Sequence, residues 1–242
     1  NIKSQVDIEP ENAILHFNYG DFYVTKEVVG YELNTDGINE KMKQAISGDL
    51  NKESIINLEM VEKQPEITEA QLLKITGKMS YYETSFNKGY DTGRDYNLSV
   101  AAAQVNGTLL MPGDTFSYAE KTQAVESSYK DAMVIGENNQ YVPGNAGGIC
   151  QVSTTLYNAV MRANIRSVER HNHSIASGYV PVGLDATVSW GYLDYRFENT
   201  YDFPIYLYAA IVGNTVQVAV YGDPSAMEGK TYSMISEVEV KK

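Results

Sequence analysis

Gly147-Gly148-Ile149-Cys150-Gln151-Val152-Ser153-Thr154-Thr155-Leu156-Tyr157-Asn158-Ala159 is the stretch from which the organisation of this chain can be read. Gly147 and Gly148 allow the backbone to turn sharply. From Cys150 to Ala163, the residues Val152, Leu156, Ala159, Val160 and Ala163 recur on one face at helical spacing, which predicts a buried helix with the cysteine in its first turn. Downstream the hydrophobic period changes to two. Val188 to Phe197, Phe203 to Val212 and Val216 to Tyr221 read as strands, and Gly213-Asn214 reads as a hairpin turn. The expectation is an α+β fold in which the helix carrying Cys150 packs on an antiparallel sheet.

Upstream of the glycines, Val134-Ile135 and Tyr141-Val142 read as strand fragments, and Pro112-Gly113-Asp114 marks a turn. Leu98 to Val105, ended by Asn106-Gly107, is an alanine-rich helix. Tyr81 to Phe86 opens this half of the chain, followed by a polar loop containing Arg94. The first segment reads as a small α+β unit of its own. Ala13 to Phe17 is a strand, and Asn18 to Asp21 a turn. Phe22 to Glu32 is a second strand with a bulge at Gly30. Thr35-Asp36 caps a helix through Ile38, Met42 and Ile46, stopped by Gly48. Ser54 to Val61 reads as a returning strand, and Thr68 with Gln71 starts a short helix to about Ile75. A boundary near residues 76 to 80 divides the chain into 1–78 and 79–222, with 223–242 a final edge strand or linker.

Composition narrows the function classes. With 43% hydrophobic and 21% charged residues, the 242-residue chain can bury a core. Its 19 Lys and Arg against 31 Asp and Glu give a charge of -12, which argues against nucleic acid as a partner. No apolar run reaches the roughly 20 residues that span a bilayer. The segment beginning Asn1-Ile2-Lys3 has no signal-peptide apolar region, which leaves room for an upstream membrane anchor. One cysteine allows no internal disulfide, and nineteen tyrosines against one tryptophan suit grooves that contact glycan or peptide.

A cysteine at a helix N-terminus has two readings. It is a small buried apolar residue, or a thiolate stabilised by unpaired amides. In the second reading, amides at the glycine turn form an oxyanion hole. The nucleophile then needs a base, and two of the three histidines lie in Arg170-His171-Asn172-His173-Ser174. His173, ahead of an expected strand ending Tyr179-Val180-Pro181, is preferred to His171. Asp185 is the nearest acid to orient it, with Asp194 and Glu198 behind. A His-x-His metal site is the rival reading, but no third ligand of convincing spacing stands out, so no metal or other cofactor is expected. Arg94 and Arg170 are fitted to bind a carboxylate bidentately, and a solvated or salt-bridged role is the alternative for each.

The quoted stretch resembles the signature of the VanW domain family. Further blocks agree in order over about residues 80 to 222. They are Asn106-Gly107, Pro112-Gly113, Phe116-Ser117, Arg170, His173-Ser174, Tyr179-Val180-Pro181, Gly183 to Thr187 and Asp194 to Asn199. Where the family commonly has a third glycine, this chain has Ala146. The first 75 or so residues resemble, more loosely, the peptidoglycan-binding domain that often precedes VanW.

The resemblance implies an extracellular protein of the Gram-positive cell envelope, membrane-anchored or wall-associated, acting as an L,D-transpeptidase. Cys150 would attack the third residue of a donor stem tetrapeptide and pass the acyl group to an acceptor amine, forming a 3-3 cross-link. Cys150, His173 and Asp185 are the expected catalytic residues. Gly147, Gly148, Gln151 and Ser153 are expected to support the oxyanion, and Arg94, Arg170, Ser174 and Tyr157 to contact substrate. An L,D-carboxypeptidase using the same thioester and a non-catalytic wall or glycopeptide-binding module are the alternatives.

Overall fold

The computed structural model describes residues 3–18, 20–47, 55–136, 140–237 and 239, and divides into two compact units, residues 1–73 and 74–242.

In the first unit α1 (Lys3–Val6) precedes a hairpin of β1 (Ile14–Asn18) and β2 (Asp21–Thr25). A second antiparallel pair joins β3 (Gly30–Leu33) to β4 (Met60–Lys63), with α2 (Ile38–Ser47) between them in sequence. The expected strand from Phe22 to Glu32 is therefore two strands with different partners. The break comes where Val28 turns to bridge Glu11, and Gly30 is not a bulge but a close approach. A Cβ there would stand 2.4 Å from the Ile8 carbonyl oxygen. The strand expected from Ser54 is confined to β4, since residues 55–59 form no strand; Ser54 itself, like the expected helix stop at Gly48, lies outside the described residues. Finally α3 (Glu69–Leu72) opens with the expected capping box of Thr68 and Gln71, but ends at Leu72 rather than near Ile75.

The second unit is built on an antiparallel sheet in the order β5-β13-β12-β6. Its strands are β5 (Gly77–Ser85), β6 (Thr108–Leu110), β12 (Ile205–Val212) and β13 (Thr215–Gly222). The Gly213-Asn214 turn joins β12 to β13 as the sequence predicts. Val216, Val218 and Val220 alternate inward, each with no exposure, and meet Leu98, Val105, Val152 and Leu156 in one core. Those four come from α4 (Thr92–Val105) and α6 (Ile149–Arg162), which pack on the sheet and on each other.

A smaller sheet orders β10 (Ser167–Glu169), β11 (Arg196–Glu198) and β7 (Thr115–Ser117), with α5 (Tyr118–Gln123) following β7. The hairpin of β8 (Asp131–Ile135) and β9 (Tyr141–Asn145) leads into the glycines before α6.

Three local expectations are corrected. Arg94 lies in the first turn of α4, not in a loop, because Asp91 caps the helix by accepting from the Arg94 amide at 3.0 Å. The run from Val188 to Phe197 is a strand only from Arg196; a Ser189–Leu193 bridge turns the chain first. Tyr179-Val180-Pro181 is not a strand, and a turn at Gly183 (φ 82°) follows it. In the terminal segment Pro224–Met227 forms a 3-10 turn and residues 228–237 form no strand; Val238 and Val240 lie outside the described residues.

Candidate active site

Helix α6 is buried on nearly every side, so its polar residues must find partners within the protein. They find the backbone of the segment that runs beside it. Thr154 Oγ1 accepts from the Ala186 amide at 2.9 Å, Ser153 Oγ donates to the Ala186 carbonyl, and Asn158 Nδ2 donates to the Leu184 carbonyl at 2.7 Å. This ladder lays residues 184–188 along the helix and brings Thr187 and Val188 to Cys150. The Val188 amide donates to Sγ at 3.5 Å, and Thr187 Oγ1 lies 3.7 Å from it.

The histidine arrives from the neighbouring strand end. The Thr187 amide donates to the His171 carbonyl at 2.8 Å, so residues 171–173 run antiparallel to 185–187. Asp185 then closes on His173. Its Oδ2 accepts from both the His173 amide and Nδ1, each at 2.6 Å. Arg170 fixes the acid in turn, donating from Nε to the Asp185 carbonyl at 2.6 Å and approaching Oδ1 at 3.4 Å. With Nδ1 occupied by Asp185, Nε2 is the ring nitrogen left for the hydrogen bond that His173 shares with the Cys150 side chain.

The electrostatics follow from this line of groups. Burial pushes the Cys150 thiol up, but the hydrogen bond and charge of His173, with the Val188 amide and Thr187, outweigh it, and the thiol falls below its ordinary value. Burial lowers the His173 imidazole, yet Cys150 and Asp185 together raise it above the ordinary histidine value. Asp185 is held low against its own desolvation by the His173 hydrogen bonds. All three shifts favour a thiolate beside an imidazolium.

The glycine turn supplies the other half of the site. Gly148 is the N-cap of α6 at φ 109°, a conformation L side chains rarely adopt, and no side chain caps the helix. A Cβ on Gly148 would stand 3.0 Å from Arg94 Cγ, so the glycine also admits the arginine stem. The Ile149 and Gln151 amides bond the Ala146 and Gly148 carbonyls at 3.3 and 2.9 Å, whereas those of Gly148 and Cys150 have no acceptor among the described residues. Those two amides can receive an oxyanion. Gly147 has a packing role as well, since a Cβ there would meet the Met133 carbonyl at 2.7 Å. Ala146 adopts φ 61°, so the one departure from a glycine triplet is a residue held in the left-handed region.

Not every sequence-chosen residue joins the thiol. The Gln151 amide donates to Thr84 Oγ1 and the Ser85 carbonyl and accepts from Arg94 at 2.7 Å. Gln151 thus positions Arg94, and Ser153 clamps the 184–188 segment; both side chains support the site rather than face an oxyanion. Arg170 is committed to Asp185 and Gly183. Tyr157 is buried against Tyr195, two helical turns beyond Cys150, and Ser174 is exposed. His171 pairs with Glu169 at 3.0 Å. Asp194 accepts from Ser117 and the Ala119 amide at the start of α5, and Glu198 lies in β11 opposite Thr115.

Sequence reasoning missed Val188, Asn97 and Tyr179. Asn97, fully buried, ties the Gly147 carbonyl to Lys130, and Tyr179 lies close enough to Cys150, Arg94 and Asp185 to feel their charges. Only Tyr179 had a signal, through its place in one of the family-like blocks.

A buried helix packed on an antiparallel sheet thus carries a cysteine beside a histidine–aspartate pair. The chain belongs to the VanW-like family, whose model matches residues 93–221. Residues 1–54 match the model described as "Putative peptidoglycan binding domain". The uncharacterized protein YoaR of Bacillus subtilis is 35% identical over 218 residues, covering 88% of this chain and 69% of that protein. The vancomycin B-type resistance protein VanW of Enterococcus faecalis is 26% identical over 149 residues, covering 59% of this chain and 54% of that protein. No solved structure matches the chain. Among the described residues no helix is long and apolar enough to cross a membrane, and no group of three or more His, Cys, Asp or Glu side chains is placed to hold a metal ion.

Proposed function

We propose that this protein is a cysteine-dependent acyltransferase of the cell envelope, an L,D-transpeptidase of peptidoglycan stem peptides. The observation that carries the reading is the Cys150–His173–Asp185 line at an uncapped helix N-terminus. The peptidoglycan-binding match at residues 1–54 and the resistance role in the name of the Enterococcus relative support a wall substrate.

In this mechanism the Cys150 thiolate attacks the carbonyl carbon of the third residue of a donor tetrapeptide. Negative charge moves to the carbonyl oxygen, which the Gly148 and Cys150 amides receive. His173, as imidazolium, protonates the departing D-alanine nitrogen as the C–N bond breaks, leaving a thioester. The side-chain amine of a neighbouring stem then attacks, its proton passes to His173, and the thiolate is released as the 3-3 amide forms. Arg94, held beside Gly148 by Gln151, is suited to a donor carboxylate.

Intact-protein mass spectrometry after incubation with a tetrapeptide muropeptide tests the reading. The expected result is an acyl adduct with loss of D-alanine, absent in Cys150→Ala, and cross-linked dimer once an acceptor stem is added. Free tripeptide as sole product would assign an L,D-carboxypeptidase instead. No adduct and no product, with Cys150 slow to alkylate, would leave a binding module and sink the proposal.

A further inference from the structure

Helix α6 has a second functional-looking end. A cleft of about 390 Å³ opens beside Arg162, its last residue, between the start of β5 and residues 224–232. Arg162 comes twelve positions after Cys150 on the helix, about 18 Å along the axis, so the cleft is distinct from the thiol site.

Its charge is unusual for this chain. Lys78, Arg162 and Lys230 line it and no carboxylate does, although the whole protein carries -12. Arg162 is half-buried, with its guanidinium 4.1 Å from the centre of the Tyr82 ring. Its NH1 donates to the Asn158 carbonyl and Oδ1 at 2.9 and 3.0 Å, while Nε and NH2 have no acceptor among the described residues. No acid pairs with it or with Lys78 among the described residues; Lys230 pairs with Glu228. A planar guanidinium stacked in place, with donors left over and its charge partly desolvated, is built to receive two oxygens. Tyr232 and Pro224 give the recess an apolar flank.

We propose that this cleft binds an oxyanion group, a carboxylate or a phosphate, on the fork of Arg162 with Lys78 and Lys230 completing the charge. The site would hold a second anionic part of the wall, independently of the chemistry at Cys150. Burial lowers the Arg162 pKa from its ordinary value, in keeping with a cation that lacks a counter-charge.

Titration of the whole chain, followed by amide NMR shifts at constant ionic strength, tests this with two probes, N-acetyl-D-alanine and inorganic phosphate. Saturable binding in the millimolar range is expected for at least one probe, weakened roughly tenfold by Arg162→Gln and a few-fold by Lys78→Gln. The stronger probe identifies the source, peptide carboxylate or phosphate. Lys78 is exposed, so its variant keeps the test valid if Arg162→Gln unfolds. Absence of saturation with both probes up to about 50 mM, or affinity unchanged in Lys78→Gln, would overturn the proposal. Cys150 alkylation is expected to be the same in both variants, so failure here is separable from failure of the acyltransferase reading.

Discussion

Cys150 is partly buried, and burial alone would make its thiol a poorer nucleophile. The direction reverses because His173 stands against it and Asp185 against His173. Alkylation by iodoacetamide is expected to rise with pH through a midpoint below the ordinary thiol value of about 8.5. At pH 7 it should run roughly tenfold faster than in His173→Ala, and Asp185→Asn should move the midpoint upward. An unshifted midpoint, indifferent to His173→Ala, would remove the basis for an activated thiol. Transfer activity is expected to be bell-shaped. It falls on the acid side as the thiolate is protonated through its lowered value, and on the alkaline side as His173 loses its proton through its raised value.

At the scale of elements, the site depends on the polar face of α6. The sequence showed the apolar face, because Val152, Leu156, Ala159 and Val160 recur at helical spacing. It did not show that Ser153, Thr154 and Asn158 grip the backbone of residues 184–186, since period analysis treats buried hydroxyls and amides as solvent-facing. Thr154→Val keeps the shape but leaves the Ala186 amide without its acceptor, at a cost of about 1–3 kcal/mol. Calorimetry should record a lower melting temperature, and Cys150 alkylation should slow because Asp185 and Val188 ride on the loosened segment. A variant as stable and as reactive as the parent would show that the ladder does not position the site.

At the scale of the whole molecule, Thr84, Arg94, Cys150, His173, Asp185 and Val188 all belong to the unit of residues 74–242, which has its own continuous core. That unit produced alone is expected to unfold cooperatively and to keep the Cys150 alkylation rate within about twofold of the parent. A large loss of reactivity would mean that residues 1–73 complete the site.

The sequence by itself determined the α+β class, the buried helix, the β12–β13 hairpin and the family, because each rests on local periodicity, turn residues or an ordered motif. Within the site it singled out Cys150, His173 and Asp185, whose residue types and order limit the choices. Tertiary structure alone decided their company. The thiol meets Thr187 and Val188 across 37 and 38 residues of chain, and Gln151 and Arg170 turn out to hold other groups in place. Such pairings depend on how one segment is laid against another, and no periodicity along the chain encodes the distance between them.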